Sequence, residues 1–412
     1  MIKETANPVV LMLIKVVNSA MKYVFLIYIA KTLTVQEVGV YGLIVSTLVI
    51  VVQFVGFEYN LFNAREILST KIIAEKGEMI KDQFALHITT YPFAIVILLL
   101  LFILEVIPWQ YILIFYCLMI VEHLSQEIFR ILVVCFKPVT ATILQFIRSA
   151  GWIIPAILLI HYGESEESIN FILYTWLLGS LISVLAGWYY LNKLFSFSLR
   201  DKINYSRIKK GIKSSFPFLL VAGLYSIMIM IDRFIIDYYY GKSEVGIYFF
   251  YVTIASAFHM LLTYAVAINY GPRCLETYQE NGVSEYIVIK KEFKIQSIKI
   301  GIILAPFFIF GIYAALFFVD IPAYKEHIDV FWFLFAGVVI QYAQEMFHLD
   351  LYVRRMDIEI LKSVIIVFFL TLIVQIFLIK NYALIGAAIG VIFIHLVTII
   401  IKYIYLAKSN HI

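Results

Sequence analysis

An apolar run of about 20 residues is long enough to cross the roughly 30 Å hydrocarbon core of a bilayer as a helix. Twelve such runs follow one another and occupy most of this 412-residue chain. They are Pro8 to Ala30, Val38 to Phe62, Phe84 to Leu104, Trp109 to Phe136, Val139 to His161 and Ile169 to Leu191, then Phe216 to Tyr239, Val245 to Tyr270, Ser297 to Val319, Ile328 to Tyr352, Ile358 to Ile379 and Tyr382 to Leu406. The runs are continuous, whereas barrel strands alternate in pieces of about ten residues. With 63% hydrophobic and 15% charged residues, the chain has too little polar surface to cover a water-soluble core. The expected fold is therefore an all-α membrane protein with 12 transmembrane helices. No connection is long enough for a soluble domain of about 50 residues, so the work of the chain is done inside the bilayer.

The sequence also repeats itself. Glu37-Val38-Gly39-Val40-Tyr41 returns 207 residues later as Glu244-Val245-Gly246-Ile247-Tyr248, between the first and second apolar runs of each half. Six helices per half is an even number, so the two copies run in the same direction and are expected to be related by a pseudo-two-fold axis along the membrane normal. The expected domains are residues 1–191, a six-helix lobe; 192–215, a cytoplasmic linker; and 216–412, a second six-helix lobe. Glu37, Gly39, Glu244 and Gly246 are read as paired gate or turn elements, the glycines allowing a tight turn and the glutamates favouring a helix start.

Orientation follows from the basic residues. Lys3, Arg65, Lys71, Lys76, Lys81, Lys137, the cluster from Lys193 to Lys213, Arg273, Lys290, Lys291, Lys294, Arg354, Arg355 and Lys408 fall on one side of the twelve-helix plan. Lys31, Lys242, Lys325 and Lys380 fall on the other. The positive-inside rule makes the first side, and both termini, cytoplasmic. Cys117, Cys135 and Cys274 are scattered without metal or disulfide spacing and are read as packing residues.

Ionisable groups inside apolar helices are costly and usually face a wet or buried interior. Lys15, Asn18 and Lys22 share one face of the first helix, the lysines about 10 and 20 Å along it. His123, Glu127 and Arg130, at i, i+4 and i+7, likewise share one face of the fourth helix, flanked by Glu122. Arg148, Asp232-Arg233, His259, Glu345, His348 and His395 add further polar positions. Each has a plainer reading: Lys15 snorkelling to the interface, Glu127–Arg130 as an intrahelical pair, Asp232–Arg233 as a pair holding its helix in register, and His259 and His395 as packing histidines. Glu345-x-x-His348 has metal spacing but lacks the second copy such a site needs, so no metal is expected. No phosphate loop, Cys-x-x-Cys pair or nucleophile elbow is present, and an enzyme is not expected.

Several segments are similar to a known family. Ser215-Phe216-Pro217-Phe218-Leu219-Leu220, Ile231-Asp232-Arg233-Phe234-Ile235-Ile236 and Gly241-x-x-Glu244-Val245-Gly246-Ile247-Tyr248 resemble the start of the second half of bacterial polysaccharide flippases. Ile29-Ala30-Lys31-x-Leu33, Glu37 to Gly42 and Asn63-Ala64-Arg65-Glu66-Ile67 agree in the first half. The chain thus resembles the O-antigen translocases of the multidrug/oligosaccharidyl-lipid/polysaccharide exporter superfamily. The resemblance implies an inner-membrane flippase of a bacterium that moves an undecaprenyl-pyrophosphate-linked oligosaccharide to the periplasmic leaflet for lipopolysaccharide synthesis, with a polysaccharide polymerase and a chain-length regulator as partners and no nucleic acid. A lumen of buried cations would suit the pyrophosphate. Lys15, Asn18, Lys22, Arg130, Arg148 and Arg233 are the expected substrate contacts. Glu127, Asp232 and Glu345 are candidates for coupling to H+ or Na+, and no other cofactor is expected. Three readings compete: a drug or metabolite antiporter of the same superfamily, which would favour acidic cavity groups; a lipid II flippase of that superfamily, which typically has two additional helices; and an O-antigen polymerase, which would carry a large periplasmic loop.

Overall fold

In a computed structural model of the chain, residues 8–163, 168–195 and 202–409 are described; Lys3 and Arg200 lie outside them. Every regular element among these residues is helical. In chain order they are α1 Pro8–Thr32, α2 Val35–Gly56, α3 Tyr59–Ser69, α4 Ile73–Ile103, α5 Ile112–Val134, α6 Pro138–Phe146, α7 Ile153–Tyr162, α8 Ser168–Phe195, α9 Tyr205–Met228, α10 Ile231–Tyr240, α11 Lys242–Leu262, α12 Ile268–Glu280, α13 Val283–Val319, α14 Pro322–Lys325, α15 Ile328–Val353 and α16 Asp357–Ser409. Five-residue π turns, Ile147–Gly151 and Thr263–Ala267, join α6 to α7 and α11 to α12.

Among the described residues, eleven helices or fused helix pairs are long and apolar enough to cross a membrane. The last of them contains two of the expected runs. Its 53 residues would extend about 80 Å if straight. A Cβ on Gly386 would instead collide with the backbone of Leu378, and one on Gly390 would strike the Gln375 side chain, so the chain doubles back. The reversal lies at Ala383, whose φ of 48° and ψ of −130° interrupt the helix.

The molecule divides into two compact units, Met1–Tyr28 with Leu43–Ser226, and Ile29–Gly42 with Ile227–Ile412. In the first unit, Ile67, Ile80, Phe84, Ile131, Leu132 and Leu144 form an apolar core closed by Trp188 and Leu194. Of the expected linker, 192–195 ends α8 and 205–215 begins α9, while 196–201 lie outside the described residues. The start of α9 is docked: Asp82, fully buried, accepts the Asn204 backbone N–H at 3.1 Å and the Arg207 guanidinium at 2.9 Å. Ile208 joins Tyr59, Phe62 and Leu86 in a small core.

In the second unit the two copies of the repeat meet. Gly39 and Gly246 lie inside α2 and α11, not in turns. A Cβ on Gly39 would collide with the Lys242 carbonyl, and one on Gly246 with the Val35 carbonyl. Val35 and Lys242, like Gly39 and Gly246, are counterparts at the 207-residue offset, so the contact is reciprocal. Only glycine permits this backbone approach, as in helix crossings built on small residues. The turn glycine of the second copy is Gly241, with φ of 84°. The corresponding position in the first copy is Thr34, whose backbone N–H and hydroxyl donate to Glu37 at 2.8 Å while the Glu37 N–H returns a bond to the hydroxyl. That is a capping box. The glutamates do stand in the first turns of their helices, as expected.

Candidate functional site

The first unit carries a polar cluster assembled from α1, α5, α8 and the π turn after α6. Inserting a residue into a helix swings the side chains beyond it to a new face, and such π turns are frequent at functional positions. Here the turn carries Arg148. Gly179 on α8 makes the close packing possible, since a Cβ there would lie 3.1 Å from the Ile147 carbonyl and 3.0 Å from Trp152 Cβ.

Arg148 points at α5, where its guanidinium lies 3.8 Å from the Glu122 carboxylate and 3.4 Å from the Glu122 carbonyl. Glu122 is held from α8 by Trp176, whose indole N–H donates at 2.8 Å, and by the Ser180 hydroxyl. Trp176 stacks on Trp152 at 5.8 Å, and Phe25 of α1 meets Trp152 edge-on. On α1, Asn18 accepts a hydrogen bond from Ser149, the residue after Arg148. Lys22 lies in the electrostatic field of Arg148 and Glu122, its side chain exposed, and Lys15 is half-buried one face-repeat earlier. Arg148 and Lys22 thus lie within electrostatic range of one carboxylate, leaving a net positive charge. The structure brings Asn18, Lys22 and Arg148 together; Glu122, Trp176 and Ser180 complete the cluster. The latter two were legible only as an i, i+4 pair on α8.

A second network in the same unit surrounds Glu127. Its Oε1 accepts from Arg130 at 2.8 Å, its Oε2 accepts from Gln83 at 2.5 Å, and His87 Nε2 lies 3.3 Å from Oε2. Arg130 also bonds Asn60 at 3.2 Å and approaches Glu58 at 3.7 Å. Gln83, His87 and Tyr91 recur every fourth residue of α4 and face His123 and Glu127 of α5. That polar stripe, running from the charged start of α4 into its apolar half, is the signal in the sequence that points to the network. Burial raises the tendency of Glu58, outside the spanning helices, to hold its proton, with Arg130 opposing.

In the second unit, Asp232 and Arg233 sit at a break between α9 and α10. The Arg233 guanidinium donates to Asp232 Oδ1 and to the Ile229 carbonyl, both at 2.8 Å, and Asp232 Oδ1 also accepts the Arg233 backbone N–H. Tyr248 donates to Asp232 Oδ2 at 2.5 Å and lies under the guanidinium. With 3% and 6% exposure, the two residues neutralise each other's charge, and Arg233 satisfies the carbonyl freed by the break. Glu345 is different: its side chain is 40% exposed and it meets His259 Nε2 at 2.8 Å. His348 lies 3.4 Å from Lys402, and His395 bonds Gln344 at 2.7 Å.

Comparison with known proteins adds the following. Residues 5–270 match the family described as polysaccharide biosynthesis protein. A multidrug resistance MATE family transporter of the MOP superfamily, in an inward-facing conformation, superposes with a TM-score of 0.72 at 13% identity over 95% of this chain and 94% of its own. The lipid II flippase MurJ, in an inward closed conformation, gives 0.72 at 14% identity over 97% of this chain and 87% of its own. A mutant of the MATE transporter VcmN from Vibrio cholerae gives 0.54 at 14% identity over 97% and 94%. No curated protein matches the chain. At these identities the solved structures show a shared fold. These neighbours are named as transporters and a flippase.

Proposed function

The chain belongs to the polysaccharide biosynthesis protein family, and we propose that it is a flippase carrying a polyprenyl-pyrophosphate-linked oligosaccharide, of O-antigen or related type, across the cytoplasmic membrane of a bacterium. The observation that carries this reading is the excess positive charge at Lys22 and Arg148 around the single carboxylate of Glu122. A pyrophosphate bearing sugars cannot cross hydrocarbon unaided, and a lysine beside an arginine offers both a point charge and a planar fork for it. A cationic drug would be repelled there, which weighs against the multidrug reading that the MATE likeness raises. The substrate contacts are Lys15, Asn18, Lys22 and Arg148. Arg130 and Arg233 are occupied by carboxylates of their own units. Of the three coupling carboxylates, Glu345 alone is half-open to exchange, and we assign coupling to H+ or Na+ to it. The basic faces are cytoplasmic, and glycan moves outward.

Deletion of the gene should make lipid-linked glycan accumulate on the cytoplasmic leaflet and abolish surface glycan. Wild-type protein should restore display, Glu122→Gln should retain it, and Lys22→Ala with Arg148→Ala should lower it at least tenfold at equal membrane abundance. Full display by the stably expressed double variant would overturn the assignment.

A further inference from the structure

His87 and His123 are fully buried histidines in a membrane helix bundle, and substrate transport as proposed uses neither. Their rings meet edge to face at 4.6 Å. With Glu127 they bring one ligand atom each within 4.8 Å of one another. Three features distinguish this group from a satisfied polar core. His123 Nε2 is buried and meets no hydrogen-bond partner among the described residues, as is also true of His87 Nδ1. The other nitrogen of His123 is held by the Tyr91 hydroxyl at 2.8 Å, which orients the ring and leaves Nε2 presented inward. α2 ends in glycine beside that nitrogen, so no side chain of α2 covers it: a Cβ on Gly56 would sit 3.0 Å from His123 Nε2 and 3.6 Å from Glu127 Oε1.

We propose that His87, His123 and Glu127 bind one divalent transition-metal ion of the zinc type. Ligand atoms about 2.0–2.1 Å from a tetrahedral ion lie about 3.3 Å apart, and His87 Nε2 and Glu127 Oε2 already stand 3.3 Å apart. The outermost pair of ligand atoms needs to close by roughly 1.5 Å to reach that spacing. The outer partners are of the kind that orient metal ligands: Tyr91 on His123, Gln83 and Arg130 on Glu127, and Asn63 on Gln83 at 2.6 Å. Arg130 is paired with Glu127 at 2.8 Å, so an entering cation meets a carboxylate whose charge is already anchored, with Glu58 3.7 Å from the same guanidinium. Two imidazole nitrogens and one carboxylate select zinc over sodium or magnesium, which prefer oxygen. The ion joins α4 to α5 beside the end of α2, and a water completes its coordination.

The test uses the full-length protein, purified without a histidine tag, incubated with Zn2+, desalted and analysed for bound metal. Wild type should retain one zinc per chain, and Co2+ in its place should give the visible absorption of a tetrahedral site. His87→Ala and His123→Ala should each lose the ion. Gly56→Ala keeps all three ligands and fills the space beside them, so it should lower zinc affinity at least tenfold while eluting as a folded, monodisperse protein. Wild type that retains no zinc, or retention unchanged in His87→Ala and His123→Ala, would overturn the proposal.

Discussion

Two arginines of the same chemistry have opposite situations. Arg233 is buried with its charge matched by Asp232, while Arg148 shares Glu122 with a second cation, Lys22. Removing one member of a buried pair leaves the other charge without compensation, which costs about 3–5 kcal/mol. Arg233→Met should therefore lower the thermal unfolding temperature in detergent markedly, by an amount reflecting that cost. Lys22→Met removes an exposed charge from a cationic cluster and should leave stability within about 0.5 kcal/mol while lowering transport. Equal destabilisation by the two variants would refute the division into structural and substrate-facing cations. Spacing alone could list both residues as intramembrane charges, because it reports that a charge is present and not which partner reaches it.

At the scale of the element, the repeated Glu-Val-Gly-x-Tyr shows what a motif can and cannot disclose. Its recurrence at an offset of 207 residues was legible in the sequence. The role of its glycines was not, since a helix crossing depends on which faces meet. The two glycines admit each other's helix backbones, and the turn falls to Gly241. Gly39→Ala and Gly246→Ala should each force α2 and α11 apart, costing about 1–3 kcal/mol, whereas Ala at the neighbouring exposed Gln36 should be neutral. Thermal unfolding of the purified variants checks this, and an unchanged Gly39→Ala would remove the crossing. Helix lengths were misjudged for a related reason. The runs expected to begin at Phe84 and Ser297 begin at Ile73 and Val283, because amphipathic turns beyond the hydrocarbon continue a helix without being apolar throughout. Across about 30 Å of hydrocarbon, α4 and α13 have turns to spare.

For the whole molecule, orientation is a matter of charge. If the basic side is cytoplasmic, a cysteine replacing Lys210 should react with a membrane-impermeant maleimide only after the cells are opened. One replacing Lys325 should react in cells whose outer barrier alone is permeabilised, and the reverse pattern would invert the topology. The apolar runs by themselves determined that this chain is a helical membrane protein, because backbone polar groups in hydrocarbon must be satisfied within each segment. Near-neighbour patterns such as Lys15-x-x-Asn18-x-x-x-Lys22 likewise determined which residues share a helix face. Only the tertiary structure decided which charges are neutralised, that Glu122 rather than Glu127 faces Arg148, and that His87 meets His123 across two helices. Those outcomes turn on distances of a few ångströms between residues tens of positions apart, where electrostatic energy changes most steeply and sequence carries no coordinate.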